Sequence, residues 1–292
     1  MKLRYSEAFY SVQGEGRFVG VPSVFLRVFG CNFECAGFGQ PRGELIATES
    51  MPYNTDPRAD KDHPEAYKSV EELPVTLLGC DSSASWSKKY KHLQMTKSVE
   101  EVFDHITSLL PNGTFTGQHG EDIHLVITGG EPLLGWQRVW PGLLDLCVEK
   151  GLKNVTFETN GTQKIKDELI DYFNQSNIHV TWSTSPKLSI SGETYEDACV
   201  PSALLTMNSV KNSYLYTKYV VRDSECLADV DNFTRTYNHS GVEIDAIYLM
   251  PEGATLEQQT FTEKNVAEIC METGYKFSPR LHINLFGNAW GT

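Results

Sequence analysis

The sequence predicts an α/β fold in which a parallel sheet curls into a partial (β/α)6 barrel, formed as one domain over residues 1–292. Strand-like runs of β-branched and aromatic residues recur along the chain, and helix-like runs lie between several of them. From residue 123 onward, successive strands start about 25 to 35 residues apart, which is the length of one βα unit. In such folds we expect the chemistry at the carboxyl ends of the strands.

Each predicted element has its own local pattern. VPSVFLRVF is the first strand of the series, and the predicted strands together cover 21–29, 123–128, 154–159, 179–184, 214–221 and 242–250. Helical spacing of apolar residues predicts helices at 99–110, 136–149, 166–173, 228–237 and 262–273. Ser98 and Glu101 form a capping-box pattern before the first helix, and Gly274 closes the last one.

The composition is that of an ordinary globular protein. Hydrophobic residues make up 40% of the chain and charged residues 22%, without a run of about 18 apolar residues that would predict a membrane span. The N-terminus lacks the apolar core of a secretory signal, so we expect a cytoplasmic location in which the 7 cysteines are thiols or ligands. A net charge of −13 argues against nucleic-acid binding and favours a small-molecule substrate.

Residues 36–79 interrupt the alternation of strands and helices. They are rich in proline, glycine and charge and have weak periodicity, which predicts an insertion or a long loop. A partner-docking surface and an inert loop are equally open interpretations of this segment.

Residues that could bind a metal cluster or another ligand follow two of the predicted strands. Three residues separate Cys31 from Cys35 directly after the first predicted strand, and closely spaced thiolates hold iron–sulfur clusters. Taken alone, the pair fits two buried thiols on a turn equally well. TGGEP at 128–132 follows the next strand, where two glycines would let a ligand approach the backbone, although a plain βα turn also explains this run.

An ordered set of motifs resembles the 7-carboxy-7-deazaguanine synthases, which are radical S-adenosylmethionine (SAM) enzymes of 7-deazapurine biosynthesis. The resemblance covers most of the chain apart from 36–79. The motifs are YSVQGEG at 10–16, GVP at 20–22, Arg27, GCN at 30–32, TGGEP at 128–132, SPK at 185–187 and LHINLFGN at 281–288.

The resemblance implies a 4Fe–4S cluster held by three cysteines, which radical SAM enzymes usually space as Cys-x3-Cys-x2-Cys. Cys31 and Cys35 match the first two positions, but Phe38 stands at the third. This departure puts the cluster in doubt unless another cysteine replaces the missing ligand, because three thiolates leave one iron open for SAM.

Cys80 is the predicted replacement. Cys80, Asp81 and Ser82 resemble the family's Cys-Asp-Thr signature, which makes residues 36–79 an insertion within the cluster-binding loop. The alternative is that Cys80 is a structural thiol in a degenerate relative. The other cysteines are predicted to be structural: Cys147, Cys199, Cys226 and Cys270.

The resemblance also implies cofactor ligands. Glu131 and the adjacent glycine carbonyls would hold the methionine ammonium of SAM, and Ser82 would bind Mg²⁺, which prefers oxygen ligands. Met250 stands where relatives often carry Gln, which puts that contact in doubt. The full predicted SAM set is Asp81, Gly129, Gly130, Glu131, Ser185, Pro186, Lys187, Met250, Pro251, Glu252 and Gly253.

The substrate implied by the resemblance is 6-carboxy-5,6,7,8-tetrahydropterin. Glu15 would accept the two adjacent N–H groups of the pterin edge, and Arg27 would bind the carboxylate. A surface salt bridge for Arg27 and a core position for His282 are the alternatives. The full predicted set is Val12, Gln13, Gly14, Glu15, Arg27, Thr128, His282 and the terminal carboxylate of Thr292.

The implied product is 7-carboxy-7-deazaguanine, formed with loss of ammonia, and the implied partners are a flavodoxin-like electron donor and a second copy in a homodimer. Three alternatives stay open. An activating enzyme for a glycyl-radical partner would not require QGEG or LHINLFG. A binding module without a cluster would contain no iron. A plain barrel enzyme with incidental cysteines would explain none of the ordered motifs.

Overall fold

The computed structural model describes residues 1–35, 67–76 and 79–292. In these ranges the chain forms one sheet of strands β1 (Lys2–Val12), β2 (Pro22–Val28), β3 (Met95–Ser98), β4 (His124–Gly129), β5 (Asn154–Thr159), β6 (His179–Thr184), β7 (Ser213–Val221), β8 (Ala246–Pro251) and β9 (Lys276–Phe277). The helices are α1 (Val99–Leu109), α2 (Trp140–Glu149), α3 (Asp167–Gln175), α4 (Tyr195–Ala198), α5 (Pro201–Asn208), α6 (Leu227–His239), α7 (Leu256–Thr273) and α8 (Leu281–Phe286).

The sheet confirms the predicted α/β class. Its strand order is β3-β1-β2-β4-β5-β6-β7-β8-β9. β1 is antiparallel to both β2 and β3, whereas β2 and β4 to β9 run parallel to one another. Within the described ranges, β3 and β9 are the two edges of the sheet, as expected of a partial barrel.

Most predicted elements lie where the sequence places them, and the exceptions have local causes. β1 precedes the predicted first strand, and its contact with β2 is antiparallel and thus outside the βα repeat. β8 begins at Ala246 rather than at 242. Just before it, the Leu215 N–H of β7 donates to the Asp245 side-chain carboxylate at 2.8 Å and takes no part in the backbone ladder there. α7 begins six residues earlier than predicted, since Thr255 and Gln258 form a second capping box.

Alternate residues of the parallel strands point to opposite faces of the sheet. Val24, Leu26 and Val28 of β2 are fully buried in the core that the helices cover. Arg27, between them, faces the other side and lines a cavity. The same alternation on β4, β5 and β7 brings Thr128, Glu158 and Lys218 to that inner face.

The predicted insertion at 36–79 lies largely outside the described residues, as does Phe38. In the described part of this segment, Val70 and Leu73 pack with Tyr90, and Trp290 from the end of the chain covers them. In the ranges that the structure describes, no helix combines the length and apolar character needed to cross a membrane.

Candidate active site

A cavity of about 760 Å³ lies at the carboxyl ends of the parallel strands. It is within the size range of sites for small molecules and cofactors. A second cavity of about 120 Å³ adjoins it on the side of β1 and β2. The residues that line both cavities are Glu15, Asp81, Ser82, Thr128 and Glu158.

Three cysteines from two distant segments line the larger cavity: Cys31, Cys35 and Cys80. Burial raises the pKa of the Cys31 thiol to about 12, and the neighbouring Cys80 adds to this shift. Burial also raises the pKa of Cys35 well above its ordinary value, with further contributions from Cys80 and Cys31. The pKa values of Cys31 and Cys35 therefore depend on the neighbouring cysteines. Buried thiols of this kind become thiolates only when a metal compensates their charge.

The segment after Cys80 is anchored to the end of β2. The Gly30 N–H donates to the Ser85 carbonyl at 2.7 Å, and the Ser83 N–H donates to the Cys80 carbonyl at 3.2 Å. Arg27 of β2 donates from its Nη1 to the Ser82 Oγ at 2.7 Å. These contacts bring Cys80 to the same cavity as the CNFEC cysteines despite the long intervening segment.

The two glycines of TGGEP pack tightly against the neighbouring backbone. A Cβ on Gly130 would stand 2.1 Å from the Gly30 carbonyl oxygen, and one on Gly129, at φ +112°, would stand 2.4 Å from the Val28 backbone. The Gly130 N–H donates to the Val28 carbonyl at 3.0 Å. The neighbouring backbone therefore requires glycine at both positions, and both residues also line the cavity.

Glu131 lies behind the cavity wall and not on it. Its carboxylate accepts the Thr159 hydroxyl at 2.7 Å, the Asn160 N–H at 2.7 Å and the Leu133 N–H at 3.0 Å. The side chain is fully buried, and burial raises its pKa despite these hydrogen bonds. The carboxylate thus holds the turns after β4 and β5 together, and its contact with the methionine ammonium stays a prediction.

The other predicted SAM segments lie around the larger cavity. Ser185, Pro186 and Lys187 follow β6, and the Ser185 N–H donates to the Thr159 carbonyl at 2.7 Å. Lys187 donates to the Ser185 Oγ at 3.3 Å. Lining residues also come from the end of β8: Met250, Glu252 and Gly253. Pro251 is not among the lining residues, because its place in β8 turns it away.

Glu15 is the centre of a buried ionic network between the two cavities. Its carboxylate pairs with Lys218 of β7 and, at 3.2 Å, with the Nε of Arg280. Burial alone would raise the pKa of Glu15, but the charges of Lys218 and Arg280 outweigh it and hold the pKa below its ordinary value. Arg280 also pairs with Asp81. Glu15 is therefore ionised and lies where a donor-rich ligand edge could reach it.

Arg27 forms a buried ion pair instead of the surface salt bridge considered above. Its Nε donates to the Glu7 Oε1 at 2.7 Å, and the two residues are cross-strand partners in the β1–β2 ladder. The Glu7 side chain is 1% exposed, and burial raises its pKa although Arg27 opposes the shift. Glu7 thus fixes Arg27 through one edge of the guanidinium group.

The environment of Ser82 does not fit the predicted Mg²⁺. The Ser82 Oγ accepts from Arg27 at 2.7 Å and donates to the Asp81 Oδ1 at 3.2 Å, and Asp81 itself pairs with Arg280. A divalent cation there would lie against two guanidinium groups. Among the residues that the structure describes, no three His, Cys, Asp or Glu side chains converge so as to hold a single metal ion. A 4Fe–4S cluster differs, since each cysteine binds its own iron.

All of the predicted substrate residues line the smaller cavity. The Gln13 Nε2 donates to the Glu158 Oε1 at 3.1 Å, and the Thr128 hydroxyl donates to the Glu158 Oε2 at 2.8 Å. Phe9 and Phe25 stack in its wall with ring centroids 4.9 Å apart. The predicted residues that line this cavity are Val12, Gln13, Gly14, Glu15, Arg27, Thr128, His282 and Thr292.

Two motifs from opposite ends of the chain meet at this cavity. The Leu281 N–H donates to the Gly14 carbonyl at 2.9 Å, and the Gly16 N–H donates to the Ser278 hydroxyl at 2.8 Å. Burial lowers the pKa of His282 to about 4, although Glu15 opposes the shift. QGEG and LHINLFG thus form one structural unit around Glu15.

Three charged residues that line the site were not predicted from the sequence: Lys218, Arg280 and Glu158. Lys218 had a usable signal, because it is the one charged residue in the apolar strand YLYTKYVV. Glu158 similarly ends the apolar run NVTFE. Arg280 lies in a short irregular segment before α8, and no local pattern singles it out.

Known proteins resemble the chain over nearly its whole length. The 7-carboxy-7-deazaguanine synthase of Halobacterium salinarum is 29% identical over 304 residues, which cover 98% of this chain and 91% of that protein. The enzymes of the same name from Pyrobaculum aerophilum and Escherichia coli are each 26% identical, over 99% and 97% of this chain and 97% of each relative. The resemblance predicted from the motifs is confirmed.

The solved structures agree with this result at the level of the fold. The crystal structure of QueE from Escherichia coli matches with a TM-score of 0.54 and 20% sequence identity, over 97% of this chain and 95% of that one. No protein-family model matches the chain. The chain is an enzyme that resembles the 7-carboxy-7-deazaguanine synthases and shares the fold of QueE.

Proposed function

We propose that the chain converts 6-carboxy-5,6,7,8-tetrahydropterin into 7-carboxy-7-deazaguanine with loss of ammonia, as a radical SAM lyase. The observation that carries this proposal is the position of Cys80 in the same cavity as Cys31 and Cys35. With Phe38 in the usual third position, the reaction requires another thiolate at the cluster, and Cys80 supplies it.

The three cysteines would hold a 4Fe–4S cluster on the floor of the larger cavity. The glycine backbone after β4, the segment Ser185 to Lys187 and the turn at Gly253 surround the remaining space, where SAM would bind. When bound, the cluster and SAM together supply a 5′-deoxyadenosyl radical that removes a hydrogen atom from the substrate. The protein positions the reactants and excludes water.

Glu15 and Arg27 would orient the substrate between the two cavities. An ionised carboxylate accepts two adjacent N–H groups of a pterin edge, and Lys218 and Arg280 keep Glu15 ionised. Arg27 is held at its Nε by Glu7 and at its Nη1 by Ser82, and its Nη2 would face a substrate carboxylate. The stacked Phe9 and Phe25 supply an apolar wall.

The contacts of Ser82 with Arg27 and Asp81, and of Asp81 with Arg280, do not support the predicted Mg²⁺. We further propose a flavodoxin-like electron donor, a homodimer and a cytoplasmic location, all of which rest on the family resemblance. The resemblance to these relatives suggests no nucleic-acid partner, in keeping with the net charge of −13.

A product assay tests this function directly. Anaerobically reconstituted protein is incubated with SAM, dithionite and 6-carboxytetrahydropterin, with and without Mg²⁺, and the products are identified by mass spectrometry. We expect carboxydeazaguanine with the mass change of ammonia loss. Formation of 5′-deoxyadenosine alone would indicate a radical SAM enzyme with another substrate, and the absence of both would refute the proposal.

A further inference from the structure

Glu193 lies outside the predicted site but contacts the cysteine loop directly. Its Oε1 accepts the N–H of Glu34 at 3.0 Å and the N–H of Cys35 at 2.9 Å. The Glu193 side chain belongs to the segment after β6 and is 4% exposed. A buried side-chain oxygen that accepts two amide N–H groups from a distant segment satisfies donors that would be costly to leave unpaired.

The backbone at Cys35 explains why the loop needs this contact. Cys35 adopts a φ of +43°, in the left-handed region that residues with a side chain rarely occupy. Such a conformation persists only where the surroundings hold it in place. The two hydrogen bonds to Glu193 fix the peptide groups on the N-terminal side of this turn and thereby set the direction of the Cys35 side chain.

Glu193 also connects the cysteine loop to the segment that lines the SAM side of the cavity. Its own N–H donates to the Ser191 hydroxyl at 3.3 Å, and Ser191 follows Lys187 and Leu188 in the same wall of the cavity. One carboxylate therefore joins the loop after β2 to the loop after β6.

We infer that Glu193 is a positioning residue that holds Cys35 in the geometry required of a cluster ligand. This inference rests on the proposed function, because it takes Cys35 as a ligand of a 4Fe–4S cluster. The Glu193 side chain acts as a hydrogen-bond acceptor for the loop, and the cluster itself is bound by the cysteines.

The test compares acceptor variants by the stability of the cluster. Glu193→Leu removes the hydrogen-bond acceptor. Glu193→Asp shortens the side chain by one methylene group and so moves the carboxylate away from the loop. Glu193→Gln keeps an acceptor oxygen at the same reach without the charge of a carboxylate. The full-length proteins are reconstituted anaerobically, and cluster loss to an iron chelator is followed by absorbance, with the electron paramagnetic resonance spectrum of the reduced cluster as a second readout. Glu193→Asp decides the question if Glu193→Leu does not fold. Glu196→Gln, on the exposed face of α4, is the matched control.

We expect Glu193→Leu and Glu193→Asp to lose the cluster about tenfold faster than the wild type and to show an altered spectrum, as for other groups that orient metal ligands. Glu193→Gln and Glu196→Gln should behave like the wild type. Wild-type cluster retention in the Leu and Asp variants, or equal loss in Glu193→Gln, would overturn the inference. A wild type that takes up no cluster would instead refute the proposed function.

Discussion

The imidazole of His282 lies directly against the backbone of Gly14, so that a Cβ at position 14 would stand 2.3 Å from the His282 Nδ1. The Leu281 N–H completes this contact by donating to the Gly14 carbonyl at 2.9 Å. α8 and the loop after β1 therefore pack as one unit, and the glycine of QGEG is required by the histidine of LHINLFG.

Gly14→Ala should disrupt this packing. We expect the free energy of unfolding to fall by about 1 to 3 kcal/mol, the usual cost of overpacking a tight contact. The measurement is urea unfolding followed by circular dichroism. Gly142→Ala is the control, because its Cβ would meet nothing nearer than a Val99 methyl at 4.0 Å and alanine is the better helix former. Equal stability of Gly14→Ala and the wild type would show that the contact is loose in solution.

Cys80→Ala should abolish SAM cleavage as completely as Cys31→Ala, because each removes one of the three thiolates in the larger cavity. Formation of 5′-deoxyadenosine and the iron content after reconstitution are the measurements. Cys147→Ala should keep both, since Cys147 is fully buried in α2 and does not line the cavity. Full activity in Cys80→Ala would remove Cys80 from the ligand set.

His282 should make folding stability depend on pH. Burial lowers its pKa from 6.5 to about 4, so between these values the unfolded chain binds the proton more readily than the folded chain. Stability present above pH 6.5 is therefore lost as the pH falls toward 4, by about 3 kcal/mol in all.

His282→Asn should flatten this part of the stability curve, measured by urea unfolding at several pH values from 7 down to about 4. The depressed pKa of Glu15 acts in the same direction but at lower pH, so wild type and variant should converge in slope below that range. His119→Asn, at an exposed position, is the control. Identical slopes in wild type and His282→Asn would contradict the prediction.

Glu7→Leu should leave the Arg27 guanidinium without its buried partner. Removal of one member of a buried ion pair costs about 3 to 5 kcal/mol, and the double variant Glu7→Leu, Arg27→Leu should recover part of this loss. A double-mutant cycle by denaturant unfolding measures the coupling energy. The exposed pair of Lys153 and Asp122 is the comparison, and its coupling should not exceed about 1 kcal/mol. Similar coupling in the two pairs would show that the Glu7 site is well hydrated.

Local patterns in the sequence were sufficient to predict the α/β architecture. β5 and β6 begin and end as predicted, and α1 starts at the Ser98 capping box, because the information for these elements lies within short segments. The antiparallel β1 was missed, since it does not belong to the repeated βα pattern. Most of the residues that the motifs predicted line the two cavities, including Cys80.

The hydrogen-bond and ion-pair partners of the residues that line the cavities depend on the tertiary structure alone. Glu15 meets Lys218 and Arg280 only because the folded chain brings β7 and the segment before α8 to the loop after β1. Glu131 belongs to the TGGEP motif, and no local pattern indicates that its carboxylate accepts from Thr159 at the end of β5 and from Asn160 just after it. The apolar periodicity of a helix or strand depends only on the residues of that segment. The pairing of buried charges depends on which segments the sheet brings together.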